Sequence, residues 1–370
     1  MDIISSSPDL SLKAHELIEV ERTTPITVVR DTSIRCKVGD ACGLTCVFCH
    51  NEGTPVIHSQ RHRGRVSIYE DSNGVNFTSG VMEPNRAFVE MLYHMIDVLG
   101  TTEVHWTGGE PTLNIHLAEL TQKSSNLGLT VKMTSNGESG ERNLEKLYAS
   151  GLRGITFSIF ATTPEELAQV QGPLYSNKAV ASRQILKLNS AIQQAMSFRL
   201  PINANIVMSG IEHEARIVRL LETYSGTSLH IRILDDLGVG FTSSISIYNL
   251  LAKLGATPIR RKITAGASGS VVYYKLPKGQ EVGFKQIRDA RLPEACGNCR
   301  FNNQIDCREG YYGVRVYIDD KGAYRVGVCI QRMDLTIPIE QFFQSDLPHA
   351  IKNLREDEYM KMVGYKNTDV

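Results

Sequence analysis

Three cysteines lie on one short loop that directly follows a predicted β-strand. Cys42, Cys46 and Cys49 fall within eight residues, in the spacing C-x3-C-x2-C. A loop of this kind can place three thiolates on one cubic iron–sulfur cluster, because thiolates are the usual protein ligands of such clusters. The fourth iron would then be open to a substrate or cofactor. A zinc knuckle or a disulfide pair is the alternative, although zinc sites normally close with four ligands.

A glycine-rich strand end follows about sixty residues later. Gly108, Gly109 and Glu110 come directly after a predicted strand at residues 103–107. Glycine has no Cβ, so this strand end can approach a ligand closely. Together, the cysteine loop and this strand end resemble the two signature motifs of radical S-adenosylmethionine (SAM) enzymes. The resemblance implies a [4Fe–4S] cluster whose open iron binds SAM, and a Glu110 carboxylate that accepts a hydrogen bond from the SAM amino group.

The composition argues against several kinds of partner. Of the 370 residues, 42% are hydrophobic and 22% are charged, and Lys plus Arg equals Asp plus Glu at 40 each. This balance provides no overall field that would favour nucleic acid or a membrane surface. No apolar run approaches the roughly 18–20 residues of a membrane helix, and the first residues lack the apolar core of a secretion signal. We therefore expect a cytoplasmic protein, with no membrane or nucleic-acid partner, in a compartment reducing enough for an oxygen-sensitive cluster.

Strands and helices are predicted to alternate from residue 31 to residue 237. The predicted strands cover residues 32–38, 103–107, 129–134, 154–160, 202–208 and 228–234. The predicted helices cover residues 85–99, 116–126, 142–150 and 212–224, with a broken helical stretch at residues 165–195. This alternation implies a parallel sheet, and six units are too few for a closed eight-stranded barrel. We therefore predict an α/β fold, a partial (β/α)6 TIM-like barrel, after a lead-in at residues 1–30 with a short helix around residues 10–17.

The pattern changes after about residue 238, where we predict a small α+β appendage over residues 238–370. Its β-like segments cover residues 271–276, 314–318 and 324–328, with a hairpin turn at residues 319–322.

A second group of cysteines lies in this region. Its members are Cys296, Cys299, Cys307 and Cys329. Two groups of cysteines in a chain of this type favour metal ligation over disulfides. A second iron–sulfur cluster is the favoured interpretation, and a structural zinc site is the alternative. The remaining cysteine, Cys36, is predicted to be a core thiol.

Segments around both cysteine groups resemble one particular family of radical SAM enzymes. Residues 34–42, 232–235 and 315–329 are similar to the GTP 3′,8-cyclase family of molybdopterin biosynthesis. That resemblance implies that Arg35 and Arg315 are catalytic residues, which face a substrate between two clusters. A guanidinium group suits phosphate or carboxylate. For each arginine, a solvated or structural role is the alternative.

Three features depart from that family. Tyr317 stands where the family has a second arginine, which puts phosphate recognition of the family's type in doubt, and the chain ends without the family's paired glycines. Cys307 is an additional cysteine, and as a fourth ligand it would close the second cluster to direct substrate binding. We therefore expect a relative of the cyclase that acts on another substrate.

Further SAM contacts are expected beside Cys49 and at the ends of successive strands. The residues are Phe48, Ser135, Asn136, Ser158 and Asn205. For Phe48 the alternative is simple packing of the loop, and for the polar residues it is ordinary hydrogen bonding at strand ends. A basic run at residues 61–65 is a candidate substrate lid, although charged loops are usually only solvated.

The resemblance implies reductive cleavage of SAM to a 5′-deoxyadenosyl radical, with an electron donor such as flavodoxin or ferredoxin. The radical would abstract hydrogen from a small anionic substrate, nucleotide-like or nucleoside-like, for cyclisation or rearrangement. A peptide-modifying or protein-modifying radical SAM maturase is the second hypothesis, because a fully ligated second cluster would suit it. A non-catalytic metal-binding protein is a more distant one.

Overall fold

The computed structural model describes residues 8–44, 46, 49, 78, 80–171, 173–303, 306–307, 309–330 and 332–364. Phe48 and the predicted lid at residues 61–65 lie outside these residues.

The described part of the chain begins with a helix and a strand. The sequence predicts a short helix around residues 10–17 and no strand before residue 32. Helix α1 covers Pro8–Arg22 and strand β1 covers Ile26–Arg30. The strand has a recognisable signal, since the β-branched run Ile26–Val29 stands between Pro25 and Asp31. Its partner, however, is a strand more than two hundred residues later, so β1 could not be placed from its neighbours.

Six parallel strands then follow in the predicted order. They are β2 (Ser33–Lys37), β3 (Glu103–Thr107), β4 (Thr130–Ser135), β5 (Leu152–Ser158), β6 (Ile202–Met208) and β7 (His230–Asp235). The helices between them are α2 (Arg86–Leu99), α3 (Leu117–Asn126), α4 (Leu144–Ala149), α5 (Pro164–Gln171), α6 (Lys178–Ser197) and α7 (Glu214–Thr223). Each of these strands pairs in parallel with the next. The predicted α/β fold is thereby confirmed.

Alternation along these strands separates a helix-covered face from an inner face. Trp106 on β3 is fully buried, and its indole N–H donates to Thr121 Oγ1 on α3 at 3.0 Å. Its ring also lies 6.2 Å from that of Phe88 on α2. The residues on either side of Trp106, His105 and Thr107, line cavities on the opposite face of the sheet. Because strand side chains alternate, polar residues point inward and apolar residues pack beneath the helices.

Helix α2 shows how local sequence sets these boundaries. The Asn85 side chain accepts a hydrogen bond from the Phe88 N–H at 3.0 Å, which satisfies one exposed donor of the first turn. Gly100 ends the helix with φ of 63°, a left-handed conformation that favours glycine.

The remaining strands extend the same sheet at both ends. The elements are α8 (Phe241–Lys253), β8 (Thr257–Ala265), β9 (Gly269–Lys275), β10 (Glu281–Ile287), α9 (Pro293–Cys296), β11 (Val314–Ile318), β12 (Tyr324–Gly327), β13 (Ile337–Pro338), α10 (Ile339–Gln344) and α11 (Leu347–Gly364). Across the described residues the order is β1-β8-β9-β10-β7-β6-β5-β4-β3-β2-β11-β12-β13. Strand β10 is parallel to β7, and β11 is parallel to β2. The region after residue 238 therefore flanks the parallel strands on both sides, and its predicted boundary stays a prediction.

The last helix ties the C-terminal part of the chain to the strand starts. Arg355 on α11 is buried and donates to Asp31 Oδ2 at 2.9 Å and to Ser33 O at 3.1 Å. A buried ion pair of this type is costly to break from one side, because the remaining charge is left without a partner. Within the described residues, no helix combines the length and the apolar character needed to cross a lipid bilayer.

Candidate functional site

The first cysteine loop leaves the end of β2 and is held by side chains from other elements. The Gly43 N–H donates to Glu138 Oε2 at 2.8 Å, and the Tyr175 hydroxyl donates to Gly43 O at 2.9 Å. The Gln171 amide donates to Cys46 Sγ at 3.0 Å. Three side chains from outside the loop therefore hold it at Gly43 and at Cys46.

A hydrogen-bond network joins this loop to the next two strand ends. The Glu110 carboxylate is buried and accepts from Thr112 N (3.1 Å), Thr112 Oγ1 (2.6 Å), Ser135 Oγ (2.8 Å) and Asn136 N (2.6 Å). Burial raises the pKa of Glu110, and these hydrogen bonds oppose the rise. Oε1 receives three of the four bonds and Oε2 receives one, so Oε2 retains acceptor capacity for a ligand N–H.

Asn136 carries the network on to the cysteines. Its side-chain amide donates to Glu138 Oε2 at 3.0 Å and to Cys42 Sγ at 3.5 Å. Three predicted cofactor-binding residues, Glu110, Ser135 and Asn136, therefore lie in one connected cluster beside the cysteine loop.

The two glycines of the strand end pack against backbone. A Cβ on Gly108 would clash with the carbonyl oxygen of Gly39, and one on Gly109 would clash with those of Asp40 and Ala41. The sequence argument assigned their lack of a side chain to ligand approach. In the structure the immediate requirement is the close contact between this strand end and residues 39–41, which lead into the cysteine loop.

The cysteine loop has the donor chemistry that an iron–sulfur cluster requires. Burial raises the pKa of the Cys42 thiol to about 12 and raises that of Cys46 well above its ordinary value, and the charge of Cys49 acts on both. Crowded thiols of this kind release their protons readily only when they bind a metal. Among the described residues no three His, Cys, Asp or Glu side chains converge on a single ion position. A four-iron cluster needs less convergence, because each thiolate binds a different iron.

The second cysteine group gathers residues from three segments. The Arg291 guanidinium donates to Cys307 Sγ at 3.4 Å and to Cys307 O at 2.7 Å. Burial raises the pKa of Cys296, where the positive charge of Arg291 opposes the rise and the charges of Cys307 and Cys299 add to it.

Arg332 joins two further members of this group. Its N–H donates to Cys329 Sγ at 3.3 Å, and its guanidinium donates to Cys299 Sγ at 3.5 Å. All eight cysteines of the chain lie in the described residues, and none forms a disulfide. Cys36 is fully buried, as predicted.

A cavity of about 310 Å³ lies between the two cysteine groups, at the carboxyl ends of the parallel strands. Cys49 lines it from the first group, while Glu309 and Ile330 line it beside Cys307 and Cys329. Its wall also includes Arg35, Lys37, Gly108, Asn205, Asp235, Asp236, Lys285, Tyr312 and Arg315. Both predicted catalytic arginines therefore face one cavity. This volume falls in the range of small-molecule sites.

A second cavity of about 380 Å³ lies at the amino ends of the same strands. The residues that line both cavities are Arg35, Thr134, Asn205, Lys285 and Tyr312, so they form the partition between the two. Asn205 Oδ1 accepts from Arg232 Nε at 3.1 Å. This contact places Asn205 in the partition and not in the network beside the cysteine loop. Ser158 is paired with Asn205 in the sheet and does not line the first cavity.

Sequence reasoning missed Lys37, Lys285 and Tyr312. Lys37 is buried, pairs with Asp40 and donates to Thr78 O at 3.0 Å. Lys285 donates to the Tyr312 hydroxyl. An isolated lysine in a strand carries no motif, and Tyr312 lies in a segment between Cys307 and β11 that matched nothing. Only the pairing of β10 with β7 brings Lys285 into the barrel.

The fold and this paired-motif site define a class of enzyme. The sequence model of the radical SAM superfamily matches residues 36–222, which include the first cysteine loop and the glycine-rich strand end. The chain belongs to the radical SAM superfamily and is a radical SAM enzyme, a class that implies a [4Fe–4S] cluster and SAM as cofactors.

Curated relatives narrow the comparison. A probable GTP 3′,8-cyclase of Pyrobaculum aerophilum is 27% identical over 277 residues, covering 72% of this chain and 78% of the relative. A GTP 3′,8-cyclase of Desulforamulus reducens is 24% identical over 349 residues, covering 90% of this chain and 96% of the relative. Among solved structures, Streptococcus suis SuiB aligns with a TM-score of 0.49 and 12% identity, covering 98% of this chain and 75% of SuiB.

Proposed function

We propose that this enzyme abstracts a hydrogen atom from a small anionic substrate, of nucleotide or nucleoside type, for cyclisation or rearrangement. The observation that carries the proposal is the cation-lined cavity between the two cysteine groups, in which Arg35, Lys285 and Arg315 meet. The likeness to the two GTP 3′,8-cyclases supports the nucleotide class.

The first cysteine group would hold the cluster that binds SAM. Cys42, Cys46 and Cys49 supply three thiolates, and the cluster with SAM supplies a 5′-deoxyadenosyl radical when both are bound. Glu110 contributes an acceptor for the SAM amino group, and Ser135 and Asn136 keep that carboxylate in place through the hydrogen bonds described above. The Gly108–Gly109 contact holds this network against the cysteine loop. Electrons would come from a flavodoxin or ferredoxin in a reducing cytoplasm.

Arg35 and Arg315 would bind the anionic group of the substrate. They stand on β2 and β11, neighbouring parallel strands whose register places the two residues opposite each other. Two guanidinium groups on adjacent strands offer several fixed N–H donors to one phosphate or carboxylate. Their role is to orient the substrate, which is the main contribution of the protein in cofactor enzymes.

The second cysteine group would hold a second [4Fe–4S] cluster. The charges of Cys299 and Cys307 act on Cys296, and Arg332 connects Cys299 to Cys329. Four cysteines close such a cluster, so the substrate would be held by side chains and not by iron.

A peptide-modifying or protein-modifying radical SAM enzyme is the second candidate. The position of Cys307 beside Cys296 favours it, because a fully ligated second cluster would suit an enzyme of this kind. The cavity volume favours a small molecule over a peptide segment.

Anaerobic reconstitution tests these assignments. We expect about eight irons per chain, with sulfide in equal amount, and 5′-deoxyadenosine after addition of dithionite and SAM. Cys307→Ala is expected to keep both clusters and to let small ligands reach the second. About four irons with one zinc would contradict the second cluster, and a loaded protein that forms no 5′-deoxyadenosine would contradict the catalytic proposal.

Deuterated GTP tests the substrate class. Transfer of deuterium from GTP into 5′-deoxyadenosine is expected if a nucleotide is the substrate. If 5′-deoxyadenosine forms without deuterium, GTP is not the substrate, and other anionic nucleotides and nucleosides are tested in the same assay.

A further inference from the structure

Tyr312 stands in the partition between the two cavities and connects the two flanks of the sheet. It lies two residues before β11, whereas Lys285 lies on β10. Six parallel strands separate β10 from β11 in the sheet order. The Lys285 ammonium nevertheless donates a hydrogen bond to the Tyr312 hydroxyl and lies 4.7 Å from the centroid of its ring. The curl of the sheet thus brings its two flanks together at this phenol.

The two arginines of the cavity pack on the same ring. The guanidinium carbon of Arg35 lies 5.1 Å from the Tyr312 ring centroid, and that of Arg315 lies 5.5 Å from it. A cation within about 6 Å of a ring centroid is attracted by the partial negative charge of the ring face. All three residues line the cavity of about 310 Å³. The ring is therefore a shared support, from which both guanidinium groups can present N–H donors to a ligand.

The register of the sheet explains why such a support matters. Arg35 and Arg315 are paired residues on the parallel strands β2 and β11. Like charges opposite each other on neighbouring strands are destabilising. Among the described residues, no hydrogen bond or ion pair fixes the Arg35 guanidinium, and its contact is the Tyr312 ring. Without the ring, repulsion and side-chain freedom would separate the two guanidinium groups, and ligand binding would have to order them again.

Lys285 sets the position of the ring. Its hydrogen bond holds the hydroxyl end of Tyr312. On β10, Lys285 is itself in register with Leu234 of β7 and with Val271 of β9. Because β10 is paired on both sides, the anchor stands on a rigid element, as a precise binding site requires.

We propose that Tyr312 is a positioning residue, whose ring keeps Arg35 and Arg315 side by side in the orientation that binds one anionic group of the substrate. The inference rests on the proposed function, since it takes this cavity as the site of an anionic substrate. Tyr312 acts through the two arginines. Its ring is the part that supports them, and its hydroxyl serves to hold the ring.

Binding of labelled sulfate to the reconstituted, SAM-loaded enzyme, measured by equilibrium dialysis, tests this role. Burial raises the pKa of the Tyr312 phenol and the neighbouring cations bring it down to about 7. At about pH 6 the phenol is mostly protonated, so Tyr312→Phe changes no charge. For Tyr312→Leu, which removes the ring, we expect the affinity for sulfate to fall about tenfold. For Tyr312→Phe, which keeps the ring, we expect a fall of about twofold or less.

A double-mutant cycle tests whether Tyr312 acts through Arg35. Arg35→Gln removes one guanidinium group and is expected to weaken sulfate binding by itself, which locates the binding in this cavity. In the Arg35→Gln background, Tyr312→Leu should reduce the affinity about threefold in place of about tenfold, because one of the two supported groups is already gone. Two residues that act independently would show the full effect of Tyr312→Leu in both backgrounds.

Tyr148→Leu is the matched control. The guanidinium carbon of Arg153 lies 5.9 Å from the Tyr148 ring centroid, a contact of the same kind, but Tyr148 lines neither cavity. Its loss should leave sulfate affinity unchanged. Iron content and formation of 5′-deoxyadenosine from SAM show that each variant is folded and loaded. If the loss of the hydroxyl leaves Lys285 too poorly paired to fold, Tyr312→Phe and Tyr312→Leu are compared in the Lys285→Met background, with the same contrast expected.

The outcomes separate this inference from the proposal on which it rests. Equal losses in Tyr312→Leu and Tyr312→Phe, or no loss in either, would overturn the role of the ring. A full loss from Tyr312→Leu in the Arg35→Gln background would overturn its action through Arg35. In each of these cases the wild type still binds sulfate, so the anionic substrate class stands. If the wild type binds no sulfate, or binds it equally well after Arg35→Gln, the anion site itself is contradicted and the inference falls with it.

Discussion

The two cysteine groups differ in the kind of donor that reaches their sulfur atoms. In the first group, the donors that the described residues offer to Cys42 and Cys46 are neutral, namely the amides of Asn136 and Gln171 and a backbone N–H. In the second group two of the donors are the guanidinium groups of Arg291 and Arg332. Hydrogen bonds from charged donors are roughly twice as strong as neutral ones. The donors of both groups would therefore raise the reduction potentials of their clusters, and the charged donors of the second group would raise the potential more.

This difference bears on reduction potential. Adding an electron makes a thiolate-bound cluster more negative, so a positive donor stabilises the reduced form and raises the potential. We expect a low potential for the first cluster, as required for an electron donor to SAM, and a higher one for the second. The predictions below test this contrast, beginning with the largest effect.

Loss of a first-group ligand should abolish the radical chemistry. Cys46→Ala removes a thiolate held by Gln171, and we expect about four irons to remain and no 5′-deoxyadenosine to form. Cys299→Ala, the matched change in the second group, should disturb the second cluster and leave SAM cleavage measurable. Equal loss of 5′-deoxyadenosine in both variants would show that the groups are not functionally distinct.

Loss of a charged donor should lower the potential of the second cluster. Arg332→Gln removes the guanidinium bond to Cys299, and about 1.4 kcal/mol of differential stabilisation corresponds to about 60 mV for one electron. An EPR-monitored redox titration measures the shift. Arg325→Gln is the control, since Arg325 binds Thr336 and not a sulfur atom. A shift of the same size in both variants would indicate an effect of net charge alone.

Loss of a neutral donor should have about half that effect on the first cluster. Gln171→Leu removes the amide bond to Cys46, and we expect the potential to fall by about 30 mV, since neutral bonds are about half as strong. Gln280→Leu serves as the control, because Gln280 donates to Leu221 O far from either group. A shift larger than that of Arg332→Gln would reverse the proposed contrast.

The smallest effect is expected at the anchor of the first loop. Tyr175→Phe removes the hydrogen bond to Gly43 O and should reduce the free energy of unfolding of the reconstituted protein by about 1 kcal/mol. Denaturant unfolding under anaerobic conditions measures this change, with iron content followed in parallel. Unchanged stability would mean that Gln171 and Glu138 hold the loop without Tyr175.

The cysteine spacing, the glycine-rich strand end and the six parallel strands could all be predicted from sequence, because each rests on residues close together in the chain. The sequence also indicated Glu110 as a hydrogen-bond acceptor. It did not indicate that Ser135 and Asn136 would supply two of the four hydrogen bonds to that carboxylate, because they lie at the end of the next strand. Lys285 and Tyr312 were not predicted as site residues for a related reason. Their meeting depends on β10 and β11 pairing with opposite sides of the parallel strands, and long-range pairing leaves no local pattern.

The sheet order also limits when each strand can pair during synthesis of the chain. Strand β1, near the start of the chain, pairs with β8, so Ile26 cannot pair until Arg261 has been synthesised. Two walls of the cavity between the cysteine groups come from the last third of the chain, through Lys285 on one side and Tyr312 with Arg315 on the other. Since chains are synthesised from the amino end, the first cysteine loop exists long before the walls that will shelter it. A cluster acquired by the nascent chain would face solvent, whereas one acquired after release would enter a chamber already built.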